Sequence, residues 1–399
     1  MNLQSDRPRK LKILFLTKWY PTRYDPQMGV FIRKHASAAA AFCEVAILHV
    51  YSDDRILKKK LELIHDDQYN LTSVVVYFRK FNSSFSYANK TINFFRYLRA
   101  SFTGLRFIRK NFGDHDITHA YILLRPALTA YFIQLFRKKP FVVSEQWSGF
   151  ATGKYEKKNL FEKLLTRSVV RKAKAITVVS EFLKSHMLRN GLKGNYYVIP
   201  NIVEFPDLQI HSNPDPKIKI LVVADLVDEI KNVSGILRAV AEIIPANQNL
   251  EVHILGEGAD RKKLESLASE MNLLNQFVFF HGLKSNEEVY ESLLNSNFLV
   301  MNSNFETFSL ICAEAISCGK PVVATRCGGP QEFITEETGI LIEPGNHHQL
   351  VDALQQMVFR YQNYPPEKLK HFALNHFSSE IVANFFYTIY QSIILEKNI

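Results

Sequence analysis

Two carboxylates, Glu306 and Glu314, stand eight positions apart in ETFSLICAEAISCGKPVVATRCGGP, residues 306–330. The stretch reads as a loop, a short helix opening near residues 307–309, a helix stop at Gly319, a strand and a Gly-Gly turn. The unpaired N–H groups and positive end of such a helix suit a phosphate, while Glu306 before it and Glu314 within it can accept hydrogen bonds from hydroxyls. Carboxylates beside a phosphate-binding helix start suggest a sugar nucleotide. The spacing alone is weak, because about one chance match is expected in a chain this long and isolated carboxylates are mostly solvated surface groups. In ILGEGAD, Gly256 and Gly258 follow a strand, but Arg261 occupies the third glycine position of G-x-G-x-x-G, which disfavours a nicotinamide dehydrogenase. Gly29 follows the first strand by a loop and opens a helix, a place for a phosphate or acceptor contact or for a simple turn.

These residues need strands and helices to hold them. In the first half, KILFLT (12–17), EVAILHV (44–50), SVVVYF (73–78), DITHA (116–120), FVVS (141–144) and AITVVS (175–180) alternate with helical patterns. That is the signature of parallel strands joined by crossover helices. YYVIPN closes the series at Asn201, and residues 211–216, HSNPDP, read as a linker. The pattern then restarts with IKILVVAD, LEVHILGEG, FVFFHG, FLVMN and KPVVAT. The expectation is an α/β chain of two Rossmann-like, doubly wound lobes facing a cleft, because ligands bind beyond the carboxyl ends of such strands. The lobes are placed at residues 1–205 and 206–376, with a helix over 377–399 packing back on the first.

Composition bounds the partners. The chain has 399 residues, 47% hydrophobic and 22% charged, with 16 Gly and 15 Pro, which excludes a disulfide-stapled mini-scaffold and a low-complexity chain. Four cysteines without C-x-x-C pairing or zinc spacing read as reduced thiols, so no metal site is expected. No apolar run is long enough to span a bilayer, and the first apolar run reads as a strand rather than a leader, so the expected location is cytoplasmic with at most peripheral membrane contact. Residues 1–200 carry +21 and residues 201–399 carry −11, an asymmetry that fits a first lobe facing a polyanion. Within it, residues 88–112 hold six basic residues and no acidic one, with Phe94, Phe95, Leu98, Phe102, Leu105 and Ile108 at helical spacing. Two readings stand side by side: a helix lying on the anionic inner face of a membrane, or a surface helix with its apolar face on the lobe core. No recognised nucleic-acid motif accompanies the basic run, so no nucleic acid is expected.

Several stretches together carry a resemblance. The paired glutamates, the opening KILFLTKWYPTRYDPQMGVFIRKH, SEQWSG, VVSEFLK, VIPN, LVDEIKN, ILGEGADRKKLE and FFHG resemble the family 4 retaining glycosyltransferases of GT-B fold over nearly the whole chain. The resemblance implies transfer of a sugar from a nucleotide diphosphate sugar to a saccharide or lipid-linked saccharide acceptor, with retention and without cofactor or protein-bound metal. It implies Glu306 on the donor sugar, Glu314 on the ribose, backbone amides near Ser309 and Leu310 on the phosphates, and Lys231 of LVDEIKN neutralising the leaving diphosphate. The Gly256 turn and the stretch ending at Gly282 would line the nucleotide pocket, and Gly29 is counted with Gly256, Gly258 and Gly282 among the donor-binding residues.

Departures from the family pattern are specific. Asp225 stands where a second diphosphate-binding arginine is common, leaving Arg33 or Arg326 to compensate; Tyr121 and Gln146 stand where histidines are common. His119, Tyr121, Glu145 and Gln146 are therefore expected on the acceptor side, with His119 read more readily as a strand histidine than as a base. The alternatives in other classes are a silent sugar-nucleotide-binding paralogue and a polyanion-binding protein using the basic lobe alone.

Overall fold

A computed structural model describes residues 9–53, 55, 59–68, 71–205 and 217–397; the linker read at 211–216 lies outside them. The chain divides into two compact units: residues 1–178, 184–202 and 379–399, and residues 179–183 and 203–378.

Unit 1 is built on a sheet of β1 (Lys12–Thr17), β2 (Glu44–Asp53), β3 (Leu61–Gln68), β4 (Leu71–Arg79), β5 (Ile117–Tyr121), β6 (Phe141–Glu145), β7 (Ala175–Val178) and β8 (Tyr196–Val198). The spatial order is β3-β4-β2-β1-β5-β6-β7-β8, parallel except for β3, which runs antiparallel to β4. The near-continuous apolar runs of β1, β5 and β6 are buried throughout or almost so, as strands covered on both faces must be. The crossover helices include α1 (Val30–Ala39), α2 (Ser86–Asn111), α3 (Arg125–Arg137), α4 (Leu160–Lys172) and α5 (Glu181–Arg189). Sequence patterning misses β3, because LELIHDDQ carries the charges that keep an edge strand from pairing further.

Unit 2 carries β9 (Ile218–Val223), β10 (Leu250–Leu255), β11 (Val278–Gly282), β12 (Phe298–Met301), β13 (Val322–Thr325) and β14 (Gly339–Ile342). They form an all-parallel sheet in the order β11-β10-β9-β12-β13-β14, so the strand order reverses between β9 and β12. Its helices are α6 (Asp228–Lys231), α7 (Val233–Ile243), α8 (Arg261–Glu270), α9 (Asn286–Leu294), α10 (Leu310–Ser317), α11 (His347–Arg360) and α12 (Pro366–Phe377). Helix α7 buries Val233, Ile236, Leu237, Val240 and Ile243 at 3.6-residue spacing into the core of this unit. The last helix, α13 (Ser379–Lys397), sets Val382, Phe386, Tyr390 and Ile393 into the unit 1 core with Ile32 and Ala36 of α1.

Candidate active site

The carboxyl ends of β9 and β12 flank the reversal point of the second sheet, and the loops leaving them bring Lys231 and Glu306 together. Lys231 ends α6, and Asn232 beside it takes the left-handed conformation. The chain leaving β12 holds this turn from the side. Asn304 donates from its backbone N–H to the Ile230 carbonyl (2.7 Å) and from its side chain to the Glu229 carbonyl (2.8 Å). Asn302 donates to the carbonyl of Asn232 (3.1 Å). Helix-end carbonyls that would otherwise go unpaired thereby fix the lysine. Its Nζ lies 2.5 Å from Glu306 Oε1, and the Ser303 hydroxyl donates to the same oxygen at 3.0 Å. Both side chains stay partly open, 23% and 16% exposed, so a ligand can reach them.

Glu306 is positioned by its backbone as well. Its N–H donates to the Cys327 carbonyl (3.1 Å) and its own carbonyl accepts from Gly329 (3.0 Å), a single bridge to the turn after β13. Gly328, at φ 131°, makes this bridge possible: a Cβ there would lie 2.3 Å from the Glu306 carbonyl oxygen. Three residues on, Ser309 sits in the left-handed region at φ 68°, a conformation uncommon for a non-glycine residue, and starts α10. No side chain caps α10 and no acidic residue stands in its first turn, so its positive end is available to an incoming anion. Glu314 lies one turn along the helix, where the Tyr290 hydroxyl donates to Oε1 at 3.3 Å. That hydroxyl also accepts from the Glu204 N–H.

The glycines expected in the nucleotide pocket are tied to the same loops. Gly256 leaves β10 at φ 134°, donates to the Gly282 carbonyl at the end of β11, and a Cβ on it would fall 1.9 Å from the Ala224 carbonyl oxygen. Gly258 packs on Leu226, where a Cβ would lie 2.4 Å from the carbonyl oxygen. This backbone contact sets the β10 loop against the segment that runs into Lys231. Asp225 is exposed. Arg326 is engaged by Glu343 at 3.3 Å, with both side chains about half exposed.

In unit 1 the residues expected on the acceptor side lie mostly inside the fold. His119 has no exposed surface; its Nε2 is 2.7 Å from the Ser144 hydroxyl and its Nδ1 2.5 Å from the Tyr390 hydroxyl, and burial holds its pKa well below the usual histidine range. Tyr121, two residues along β5 and on the same face, is equally buried, with its hydroxyl 3.1 Å from His35 Nδ1. Neither is placed to touch an acceptor, because α13 covers that face: Phe386 and Tyr390 stand against the His119 ring. Glu145 is also fully buried; its carboxylate accepts from the N–H groups of Leu123, Gln146 and Trp147 at 2.8–2.9 Å and so pins two loops. Burial raises its pKa against those three donors. Gln146 donates to Asn201 at 2.9 Å. Gly29 stands at φ 67° at the start of α1, tightly against the Trp19 carbonyl.

Sequence reasoning passed over Asn302, Ser303, Asn304, Tyr290 and Gly328. The run Asn302-Ser303-Asn304 directly after an apolar strand was the available signal. Buried strand carboxyl ends turn polar where they serve a site.

Sheet order, paired units and reversal point define a class of fold, and comparison with solved structures gives it a name: the chain has the GT-B fold. Sucrose-phosphate synthase from Thermosynechococcus elongatus superposes with a TM-score of 0.75 at 19% identity, covering 97% of this chain and 100% of that one. HepE of Anabaena, in complex with UDP and glucose, superposes with a TM-score of 0.70 at 15% identity, covering 96% and 100%. Residues 205–369 match the family Glycosyl transferases group 1. The similar curated proteins include the lipopolysaccharide core biosynthesis glycosyltransferase LpsD of Rhizobium meliloti, 30% identical over 128 residues, 32% of this chain and 35% of that protein. They also include the GDP-mannose-dependent alpha-mannosyltransferase of Mycobacterium tuberculosis, 31% identical over 123 residues, 30% of this chain and 31% of that protein. The chain thus spans less than half the length of these relatives in each match.

Proposed function

We propose that this chain is a retaining glycosyltransferase that moves a sugar from a nucleotide diphosphate sugar to an acceptor hydroxyl in cell-surface polysaccharide or glycolipid assembly. The observation that carries the reading is Lys231 against Glu306 at the reversal point of the second sheet, beside the uncapped start of α10. An ammonium and a helix N-terminus meet the charge that grows as the diphosphate departs, which lowers the barrier to the extent that they bind the leaving group more tightly than the intact donor. Donor binding replaces the lysine–glutamate pair: the diphosphate takes Lys231, and Glu306, still held by Ser303, turns its acceptor oxygens to the sugar hydroxyls. Glu314 with Tyr290 holds the ribose. A departing phosphate oxygen takes the acceptor proton on the face the leaving group vacates, so no protein base is required and the anomeric configuration is kept. Lys231 and α10 supply the positive charge in this scheme without a bound metal. The first unit contacts the inner face of an anionic membrane through α2.

The test is a panel of nucleotide sugars. Binding to the native state raises the unfolding temperature and identifies the donor; incubation with that donor and saccharide or lipid-linked acceptors follows. The expected product keeps the donor's anomeric configuration by NMR. An inverted product overturns the front-face mechanism, and donor binding without hydrolysis or transfer favours the silent paralogue, the reading that exposed Asp225 and buried Tyr121 support.

A further inference from the structure

Two concavities of unit 1 share walls from α2 and α3, and α4 closes the first as well. The first, about 620 Å³, opens where β1, β2 and β5 end and α3 begins. Trp19, Tyr51, Phe94 and Tyr97 give it aromatic walls, and its charged lining is Lys18, Arg125 and Lys158, the last 3.7 Å from the single carboxylate, Glu162. His49 also lines it: the ring is 1% exposed, its Nδ1 is taken by Thr17, and its Nε2 has no hydrogen-bond partner among the described residues. A buried ring nitrogen left unmatched at the wall of a cationic cavity suits a polar ligand group. Burial lowers the pKa of Lys18, and an anion beside it would reverse that shift.

The second concavity is a groove of about 440 Å³ along α2 and α3, with Leu98, Phe102 and Leu105 on one side and Phe132, Ile133 and Phe136 on the other. Phe102 is 68% exposed and Phe136 82%, an apolar surface of the kind that folded chains keep only for a partner. Arg106 and Arg109 rim it, and Arg137 there is held by Asp114. Helix α2 reaches the sheet through Tyr97, Ala100, Ser101, Gly104 and Ile108 instead, and a Cβ at Gly104 would lie 2.3 Å from Leu48. The large side chains are therefore left over for the groove. Cavity and groove are lined by neighbouring residues of α2 and of α3. Tyr97 and Leu128 line the first, and their chain neighbours Leu98 and Thr129 line the second. The Arg125 guanidinium lies over the Tyr97 ring at 5.3 Å.

We propose that the α2–α3 groove takes the hydrocarbon chain of a phosphate-bearing lipid acceptor whose head group enters the cavity among Lys18, Arg125 and Lys158. This rests on the sugar-transfer reading for the word acceptor, and on unit 1 alone for the site. Attachment to a bilayer surface would need only protruding side chains. An apolar groove beside a cavity carrying Lys18, Arg125 and the Glu162-paired Lys158 matches a single amphiphile.

The probes are decyl phosphate below its micelle concentration, decanol and inorganic phosphate, titrated into the full chain by calorimetry. Decyl phosphate is expected to bind once per chain, at least 10-fold tighter than either of the others. The pair Phe102→Gln/Phe136→Gln, both at exposed positions, should weaken it at least 10-fold, and Arg125→Gln should remove its advantage over decanol while decanol binding stays. An unchanged thermal transition and unchanged nucleoside diphosphate binding show that the variants are folded. Decyl phosphate binding no tighter than decanol or phosphate, or binding untouched by the variants, overturns the site. So does sedimentation with phosphatidylglycerol vesicles in the absence of any binding of monomeric decyl phosphate, which would leave membrane attachment only. If nucleoside diphosphates bind and decyl phosphate does not, the lipid site falls and the donor reading stands; the reverse pattern keeps the lipid site and removes sugar transfer.

Discussion

Glu314 and Gly328 bear on the site in different ways. The Glu314 carboxylate sits on α10 with one oxygen on the Tyr290 hydroxyl, where the proposed function puts the ribose. Glu314→Ala should weaken binding of the correct donor by roughly 1.5–3 kcal/mol, about 10- to 100-fold, measured by calorimetry in a variant with an unchanged unfolding transition. Equal affinity would remove Glu314 from the nucleotide. Gly328→Ala puts a methyl against the Glu306 carbonyl at a backbone angle that L-residues avoid, so it should cost on the order of 1–3 kcal/mol of stability and displace Glu306. Thermal unfolding and donor titration together would show it; a variant as stable as the parent would mean that the bridge is not needed. Lys231 and Glu306, which the fold brings within 2.5 Å of each other, could be picked out of the sequence because each sits in a local motif. Gly328 and Asn304 could not, since their importance arises only when two loops distant in sequence meet. His119 reads in the sequence as a strand histidine, and it is one; what the sequence hides is that its surroundings are set by α13, some 270 positions later.

At the scale of elements, periodicity located most of the strands, and it fell short where polarity masks structure. The edge strand β3 carries charge for protection, and β14 is only four residues long. Helix α2 illustrates the ambiguity best. Its helical spacing of phenylalanines reads equally as a core face or an outer one, and the answer lies in the small residues: Ala100, Ser101 and Gly104 let the helix approach β2 and β4 while Phe95 and Phe102 stay outside. The outward arginines carry a prediction. Replacing Arg96, Arg99, Arg106 and Arg109 by glutamine should abolish sedimentation with anionic vesicles at low salt, since each basic residue near the surface contributes about 1 kcal/mol and is screened by salt. Donor binding in unit 2 should persist. Equal pelleting of parent and variant, or none for either, would reject α2 as the membrane contact.

At the scale of the whole molecule the two units differ in charge and in buried histidines. Burial pushes His35, His49 and His115 down to about 4 and holds His119 well below the usual histidine range, and all four lie in unit 1. A folded-state pKa below the unfolded value near 6.5 means that the unfolded chain binds more protons, so stability rises with pH across this window and falls as pH drops from 6.5 toward 4. Each of the first three should withdraw about 2 kcal/mol by pH 5. Glu145, raised by burial, opposes this only where its own carboxylate titrates. Calorimetric scans at pH 7 and pH 5 should show the unit 1 transition several degrees lower at pH 5, and an unmoved transition would mean that these histidines are not held neutral.

In the proposed function the reversal point of the second sheet holds a nucleoside diphosphate with Lys231 on its phosphates. Titrating matched nucleoside mono- and diphosphates into the parent and Lys231→Ala tests it most directly. The diphosphate should bind the parent more tightly than the monophosphate, and Lys231→Ala should erase most of that difference, about 10-fold or more in affinity, while the monophosphate changes little. A diphosphate preference that survives intact in a folded Lys231→Ala variant, or no preference in the parent, would contradict the account.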